Sequence, residues 1–327
     1  MKKGSLSDWS AARQLLEREE RWSIVVHEKP DGDALGSGSA LFQWGQRLGK
    51  TVTWGGADPF PGTYAFLPGA AAYRVFRSAR ELFELGGLII CLDTSNQARS
   101  LPEMGERPQT VQLLVIDHHR DNEIYGDVNI VAREASATAE ILWDLAVTAG
   151  WPLGRDEALA LYTGLVTDSG RFSFKATTAK THLMAAHLLE AGLNPQEATR
   201  LIYHNRTAGS VRLWGRAFCR VRLLAGGKAI LSWLERLDFS ETGAGREETE
   251  GLVNELMMVR GVSFAALLTE EEDQVRISLR SNGPLAAGDL ARRWDGGGHR
   301  QAAGCRMKRP LEEAIDIVSR EIEVLHE

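Results

Sequence analysis

The sequence predicts an α/β protein in which an N-terminal, mostly parallel sheet is covered by helices on both faces. A helical linker joins it to a smaller α+β C-terminal domain. Three observations carry this reading. Apolar runs at 22–26, 87–92 and 110–116, rich in Val, Ile and Leu, have the length and composition of strands buried on both faces. Helical patterns separate them, the alternation that produces parallel strands. After Gly192 the texture changes to short strands and tight turns, and 327 residues are enough for two cores.

In chain order, Ser7 to Arg21 reads as an amphipathic helix with Trp9, Ala12, Leu15 and Leu16 on one side. Strand 22–26 runs into the glycine-punctuated loop 28–38, and a helix follows from about Ser37 to Leu48. Gly36 and Gly38 would allow close backbone approach at that helix start, an anion-binding arrangement as well as a common feature of plain turns. Strand 51–55, a Gly- and Pro-rich loop to residue 70, a short helix and strand 87–92 come next. The connection 94–109 leads into strand 110–116. Glu134 to Gly150 and Asp156 to Thr167 are apolar helices parted by the stop signal Gly150-Trp151-Pro152.

Residues 1–190 are thus expected to form the first domain, 191–215 the linker and 216–327 the second. Asn194-Pro195 opens a linker helix. Segments 219–224 and 228–234 form one expected hairpin, and 262–268 with 274–280 another. Helices are expected at 246–260, 285–294 and 310–325.

Composition bounds the function. Hydrophobic residues make up 43% and charged residues 25%, as in soluble globular proteins. Lys and Arg number 38 against 44 Asp and Glu, a formal charge of −6, so no global basic field is available to hold long nucleic acid. The three cysteines, Cys91, Cys219 and Cys305, lie far apart with no CxxC spacing, which fits a reducing compartment. Neither a signal peptide nor a run of 18 apolar residues is apparent, so the cytoplasm is the expected location and no membrane is expected as a partner.

The strand ends hold the chemistry. Strand 22–26 runs into His27, with Asp31 and Asp33 close behind. Strand 87–92 runs into Asp93, and 110–116 into Asp117, His118 and His119. In open α/β sheets ligands bind at this carboxyl edge. At one strand an Asp capping a turn beside solvent-facing histidines explains the pattern equally well. With Asp168 as a fourth such site, coincidence becomes a poor explanation. Carboxylates with one or two histidines suit Mn²⁺ or Mg²⁺, and two such ions can activate a water and neutralise phosphoryl oxygens.

These residues resemble the DHH phosphoesterase family, and within it the NrnA-like branch of small nano-RNases that also dephosphorylate pAp. His27-x-x-Pro30-Asp31-Gly32-Asp33-Ala34-x-Gly36-Ser37 is similar to the family's first motif, Asp93 to its second, Asp117-His118-His119 to its third and Thr167-Asp168-Ser169-Gly170 to its fourth. Gly296-Gly297-Gly298-His299-x-x-Ala302-Ala303-Gly304 resembles the signature of the DHH-associated C-terminal domain. The resemblance spans nearly the whole chain. It implies one Mn²⁺ held by His27, Asp31 and Asp93 and a second held by Asp33, Asp93, His118 and Asp168, with Mg²⁺ or another divalent cation as substitutes. It also implies that His119 faces the scissile phosphate, that Asp117 supports the imidazoles, and that the protein is a homodimer.

The expected substrates are short oligonucleotides, linear dinucleotides such as pGpG or pApA, and pAp, cleaved between the domains. Glycines 296–298 would free backbone amides for a phosphate and His299 would donate to it; a flexible turn is the plain reading of the same residues. Arg280 and Ser281 are further candidate substrate contacts, and His204-Asn205-Arg206 a weaker one. His182, His187 and His326 read as ordinary helix or tail residues. The alternative activity is that of a RecJ-like single-strand-specific exonuclease, which would normally carry a further nucleic-acid-binding domain. A family II pyrophosphatase would lack the Gly-Gly-Gly-His segment. A membrane-type cyclic-dinucleotide phosphodiesterase would need transmembrane regions, and a non-catalytic nucleotide sensor would not need intact ligands at all four motifs.

Overall fold

The computed structural model describes residues 8–101, 107–204, 206–298 and 300–326, and the chain divides into two compact units, Met1–Asn205 and Arg206–Glu327. In the first unit the chain forms α1 (Trp9–Arg18), β1 (Arg21–Val26), α2 (Gly32–Arg47), β2 (Thr51–Gly56), β3 (Tyr73–Val75), α3 (Ala79–Leu85), β4 (Leu88–Leu92), β5 (Gln112–Asp117) and β6 (Val128–Val131). Four helices complete it: α4 (Thr138–Ala149), α5 (Arg155–Asp168), α6 (Ala179–Glu190) and α7 (Pro195–Tyr203).

The six strands make one sheet in the order β3-β2-β1-β4-β5-β6, with every pairing parallel. The apolar runs identified in the sequence are its centre. Ile24, Ile90, Leu114 and Ile116 join a core on one face with Leu35, Leu41, Leu142 and Leu161. Val25, Ile89, Cys91, Leu113 and Val115 pack on the other against Phe76, Ala79 and Leu82. Strand order reverses between β1 and β4, and crevices at such points bind ligands.

Several boundaries differ from the sequence expectation. Helix α2 starts at Gly32 rather than Ser37, because the Asp31 side chain accepts hydrogen bonds from the amides of Asp33 and Ala34 and caps it early. Gly36 therefore lies within a helix, not in an anion-binding loop. A Cβ there would come within 2.4 Å of the Ala160 carbonyl oxygen of α5, so close helix packing is what demands glycine. Asp168 is the last residue of a helix, one position beyond the expected end at Thr167, and α4 begins at Thr138, four residues later than expected. Strands β3 and β6, too short to stand out as apolar runs, extend the sheet at both edges.

The second unit contains α8 (Ala208–Cys219), β7 (Arg222–Leu224), β8 (Ala229–Leu234), α9 (Arg236–Thr242), α10 (Leu252–Leu256), β9 (Phe264–Glu270), β10 (Val275–Ser281), α11 (Ala287–Arg292), β11 (Gly297–Gly298), β12 (Ala302–Met307) and α12 (Leu311–His326). Its sheet is mixed, in the order β11-β12-β10-β9-β8-β7; only β8 and β9 run parallel. Both expected hairpins form. The single helix expected over 246–260 is instead a 3₁₀ turn at Arg246–Thr249 and the short α10, because Gly251 between them takes a left-handed φ of 83°. Among the described residues no helix is long and apolar enough to cross a membrane.

Candidate metal centre

His27 follows β1, Asp93 follows β4, and Asp117 ends β5 with His118 and His119 directly behind it. Asp31 and Asp33 enter from the start of α2, and Asp168 from the last residue of α5. Three groups of donor atoms result, each with its atoms within 4.8 Å of one another: His27, Asp31 and Asp93; Asp33, His118 and Asp168; and Asp93, His118 and His119. All eight residues named from the strand ends are thereby brought together, seven as donors and Asp117 beneath them.

Asp93 is the shared member. Its Oδ2 lies 3.6 Å from His27 Nε2, while Oδ1 lies 3.6 Å from His118 Nε2 and 3.5 Å from His119 Nδ1. Its backbone is left-handed at φ 56°, which Asp tolerates better than most residues, and the amide is held by the Ile116 carbonyl of β5. The Thr138 hydroxyl donates to Oδ1 at 3.0 Å and fixes the direction of the carboxylate.

Asp33, a member of one donor group, also anchors α4. Its carboxylate accepts the amides of Thr138 at 2.6 Å and Ala139 at 3.0 Å, satisfying the exposed N–H groups at the start of α4. Asp117 is fully buried and saturated. Its Oδ1 accepts from the His118 and His119 amides and lies 2.7 Å from His119 Nδ1, while Oδ2 accepts from Asn122 at 2.6 Å. Asn122 also donates to the Thr94 carbonyl, tying the end of β5 to the residue after Asp93. His118 Nδ1 is 3.3 Å from the Ala135 carbonyl, and His27 Nδ1 is 2.6 Å from that of Glu28. With Nδ1 donating, each ring turns Nε2 toward the carboxylates.

The electrostatics report an excess of negative charge. Burial disfavours a charged His27, yet its contacts with Asp31 and Asp93 push its pKa up to about 11. Burial likewise opposes protonation of His118, but Asp168, Asp93 and Asp33 carry it up to about 9. Burial and the neighbouring carboxylates of Asp93 and Asp31 raise Asp168 to about 7, and burial with Asp93 and Asp168 drives Asp33 well above the carboxylate range. Burial opposes the charge on Asp31, yet His27 holds its carboxyl below the usual range, so within one cluster Asp33 and Asp168 favour the proton while the histidines gain one, the pattern of a cation-demanding site. Oxygen and imidazole donors with no thiolate among them fit a hard or borderline divalent ion such as Mn²⁺ or Mg²⁺.

Sequence reasoning did not identify Thr138 or Asn122. Each is one polar residue in an ordinary context, and only the fold brings it against Asp93 or Asp117.

The candidate substrate contacts lie in the second unit. Arg280 Nε donates to Asn254 Oδ1 at 2.8 Å, and an NH1 group bonds the Leu279 carbonyl, pinning the guanidinium beside α10. Ser281 is buried, and its hydroxyl donates to the Leu285 carbonyl, so it shapes its own turn. Gly297 and Gly298 form β11 against β12, while Gly296 lies against Gly304 and Cys305. His299 and Asn205 lie outside the described residues. His204 ends α7. His182 stacks on Phe172, His187 accepts from Trp143 Nε1, and His326 Nδ1 contacts the Ile322 carbonyl, all structural roles.

Residues 21–165 match the N-terminal domain of the DHH family, and residues 226–324 match the DHHA1 domain. The chain is 32% identical over 288 residues to the bifunctional oligoribonuclease and PAP phosphatase NrnA of Bacillus subtilis, covering 86% of this chain and 88% of that one. Among solved structures, an exopolyphosphatase-related protein from Bacteroides fragilis superposes with a TM-score of 0.91 at 26% identity, covering 97% of this chain and 96% of the other. A structure of exonuclease RecJ bound to manganese shares the fold more distantly, with a TM-score of 0.54 at 16% identity over 100% of this chain and 96% of that one.

Proposed function

We propose, for a chain that belongs to the DHH family, a divalent-metal-dependent phosphoesterase that hydrolyses short oligoribonucleotides and pAp to mononucleotides. The observation that carries this is Asp93, a buried carboxylate at the switch point of the sheet whose two oxygens face separate groups of imidazole and carboxylate donors. The relative from Bacillus subtilis supports the substrate class, and the manganese in the RecJ structure supports the choice of ion.

In this reading His27, Asp31 and Asp93 would hold one Mn²⁺ ion, and Asp33, Asp93, His118 and Asp168 would hold a second. Such ions supply an acidified water and counter-charge for the phosphoryl oxygens. The chain's own residues do the rest. Asp117 accepts from His119 Nδ1 and orients that ring, so that His119 contacts the scissile phosphate through Nε2. Burial opposes the charge on Asp117, but His119 and then Asn122 hold its carboxyl below the usual carboxylate range, and the two backbone amides fix its position. Thr138 holds Asp93, and Asp33 is anchored to α4 by backbone amides. Arg280, Gly296–Gly298 and His299 belong to the same proposal as contacts for substrate groups away from the scissile bond.

The test is a product time course on labelled di- to decanucleotides and on pAp with Mn²⁺. Rapid conversion of di- to pentanucleotides and pAp, with decanucleotides slow, supports the reading. Faster cleavage of the longest substrates would favour a RecJ-like exonuclease. Absence of turnover on the whole panel would refute both.

A further inference from the structure

Directly after Asp168 the backbone does something rare. Gly170, Arg171 and Phe172 all lie in the left-handed region, with φ of 57°, 57° and 64°. Residues bearing a Cβ avoid that region, and consecutive ones almost never share it. Such strain persists only where the surroundings over-determine it. Here they do: the Arg171 amide bonds the Val166 carbonyl at 2.8 Å, and the Phe172 amide bonds the Ser169 hydroxyl at 3.1 Å. The Arg171 guanidinium lies 4.3 Å from the Tyr203 ring centre, and Phe172 stacks on His182 at 4.8 Å.

This left-handed turn sets the position of Phe174. Its amide returns to the Ser169 carbonyl at 3.0 Å, and its ring lies over Gly170, where a Cβ would meet Cε1 at 2.5 Å. Glycine is therefore required so that the ring can lie there, two residues from a donor of the metal centre. Phe174 is nevertheless 50% exposed. The exposed Phe218 rests edge-on against Trp214, whereas Phe174 has no ring or cation partner among the described residues. A large, half-exposed aromatic face seated against Gly170, two residues after Asp168, has the properties of a stacking platform for a nucleobase.

We propose that Phe174 stacks on a base of the bound nucleotide, making it a binding residue that selects nucleotides over sugar phosphates without selecting among bases. The inference deepens the phosphoesterase reading by naming what part of the substrate the first unit recognises. Every base offers a π face, so adenine and cytosine nucleotides should gain alike.

The test measures the ratio of Kd for ribose 5-phosphate to Kd for AMP by calorimetry on the full-length protein, and the same ratio with CMP. In the wild type, stacking should give a ratio of about 5 to 150, from the per-base range of stacking energies. Phe174→Ala and Phe174→Leu should bring it close to one, whereas Phe174→Tyr and Phe174→Trp should keep it. A wild-type ratio near one, or a ratio surviving in Phe174→Ala, overturns the inference. A ratio retained in Phe174→Leu as fully as in Phe174→Trp also overturns it, since apolar bulk alone would then suffice. Circular dichroism identifies a variant that has lost its fold, and the Tyr and Trp variants still decide the matter. The ratio is read from binding, so it stands if no phosphodiester or pAp is turned over, a result that would refute the phosphoesterase reading alone.

Discussion

Thr138→Val isolates one hydrogen bond of the metal centre. The two side chains have nearly the same shape, so the substitution removes the hydroxyl that donates to Asp93 Oδ1 at 3.0 Å without opening a cavity. The Thr138 amide, which Asp33 accepts at 2.6 Å, belongs to the backbone and remains. Asp93 Oδ1 is then left with imidazole nitrogens at 3.5 and 3.6 Å, too far to fix its rotamer by hydrogen bonding. A hydrogen bond to a charged group is worth about 1.5–3 kcal/mol. Loss of an outer partner of a metal ligand typically weakens binding by roughly 10–100-fold, a matching range. Calorimetric titration with Mn²⁺ should therefore show a Kd raised by about that factor, while Thr138→Ser, which keeps the hydroxyl, should stay near the wild type. An unchanged Kd in Thr138→Val would show that the orientation of Asp93 does not depend on Thr138 and would refute the reasoning.

Asp93→Ala should abolish turnover at saturating Mn²⁺, since two of the three donor groups lose a member, and measurable residual activity would sink the shared-ligand assignment. His119→Ala should lower kcat while metal content, read by elemental analysis, stays at the wild-type level. Gly36→Ala should destabilise the first unit by about 1–3 kcal/mol in chemical denaturation, because its new Cβ would collide with a backbone carbonyl that cannot rotate away. Asp238 in the second unit is buried, which disfavours its charge, but Arg220 and Arg216 hold its carboxyl below the ordinary value. Its folded pKa is thus depressed, so its stabilisation is present above about pH 4 and is lost as pH falls through the folded value. Thermal melts should show that loss in the wild type and a flatter acid limb in Asp238→Asn.

Much of the site was legible because its residues stand at strand ends. Val25, Ile90 and Val115 mark buried strands through composition alone, and the polar residue that follows each must lie at the carboxyl edge of a parallel sheet. The motif Asp117-His118-His119 and the spacing His27, Asp31, Asp33 therefore carried their chemistry openly. Asp31 shows the limit of choosing between readings, since it caps α2 and also joins a donor group. The glycines were legible as requirements but not as reasons: Gly36 suggested a phosphate loop, and the fold uses it to bring α5 against α2.

The sequence by itself determined the parallel sheet and the polar residues that gather at its carboxyl edge, because hydrophobic period and strand-end polarity are local properties. Tertiary structure alone decided that Asp93 faces two donor groups, that Thr138 fixes it, that Asn122 joins the end of β5 to Thr94, and that Phe174 stands half exposed with its ring against Gly170. The pairings of Asp93 and Asn122 span tens of residues along the chain, and no local pattern encodes a partner that arrives only when the strands align.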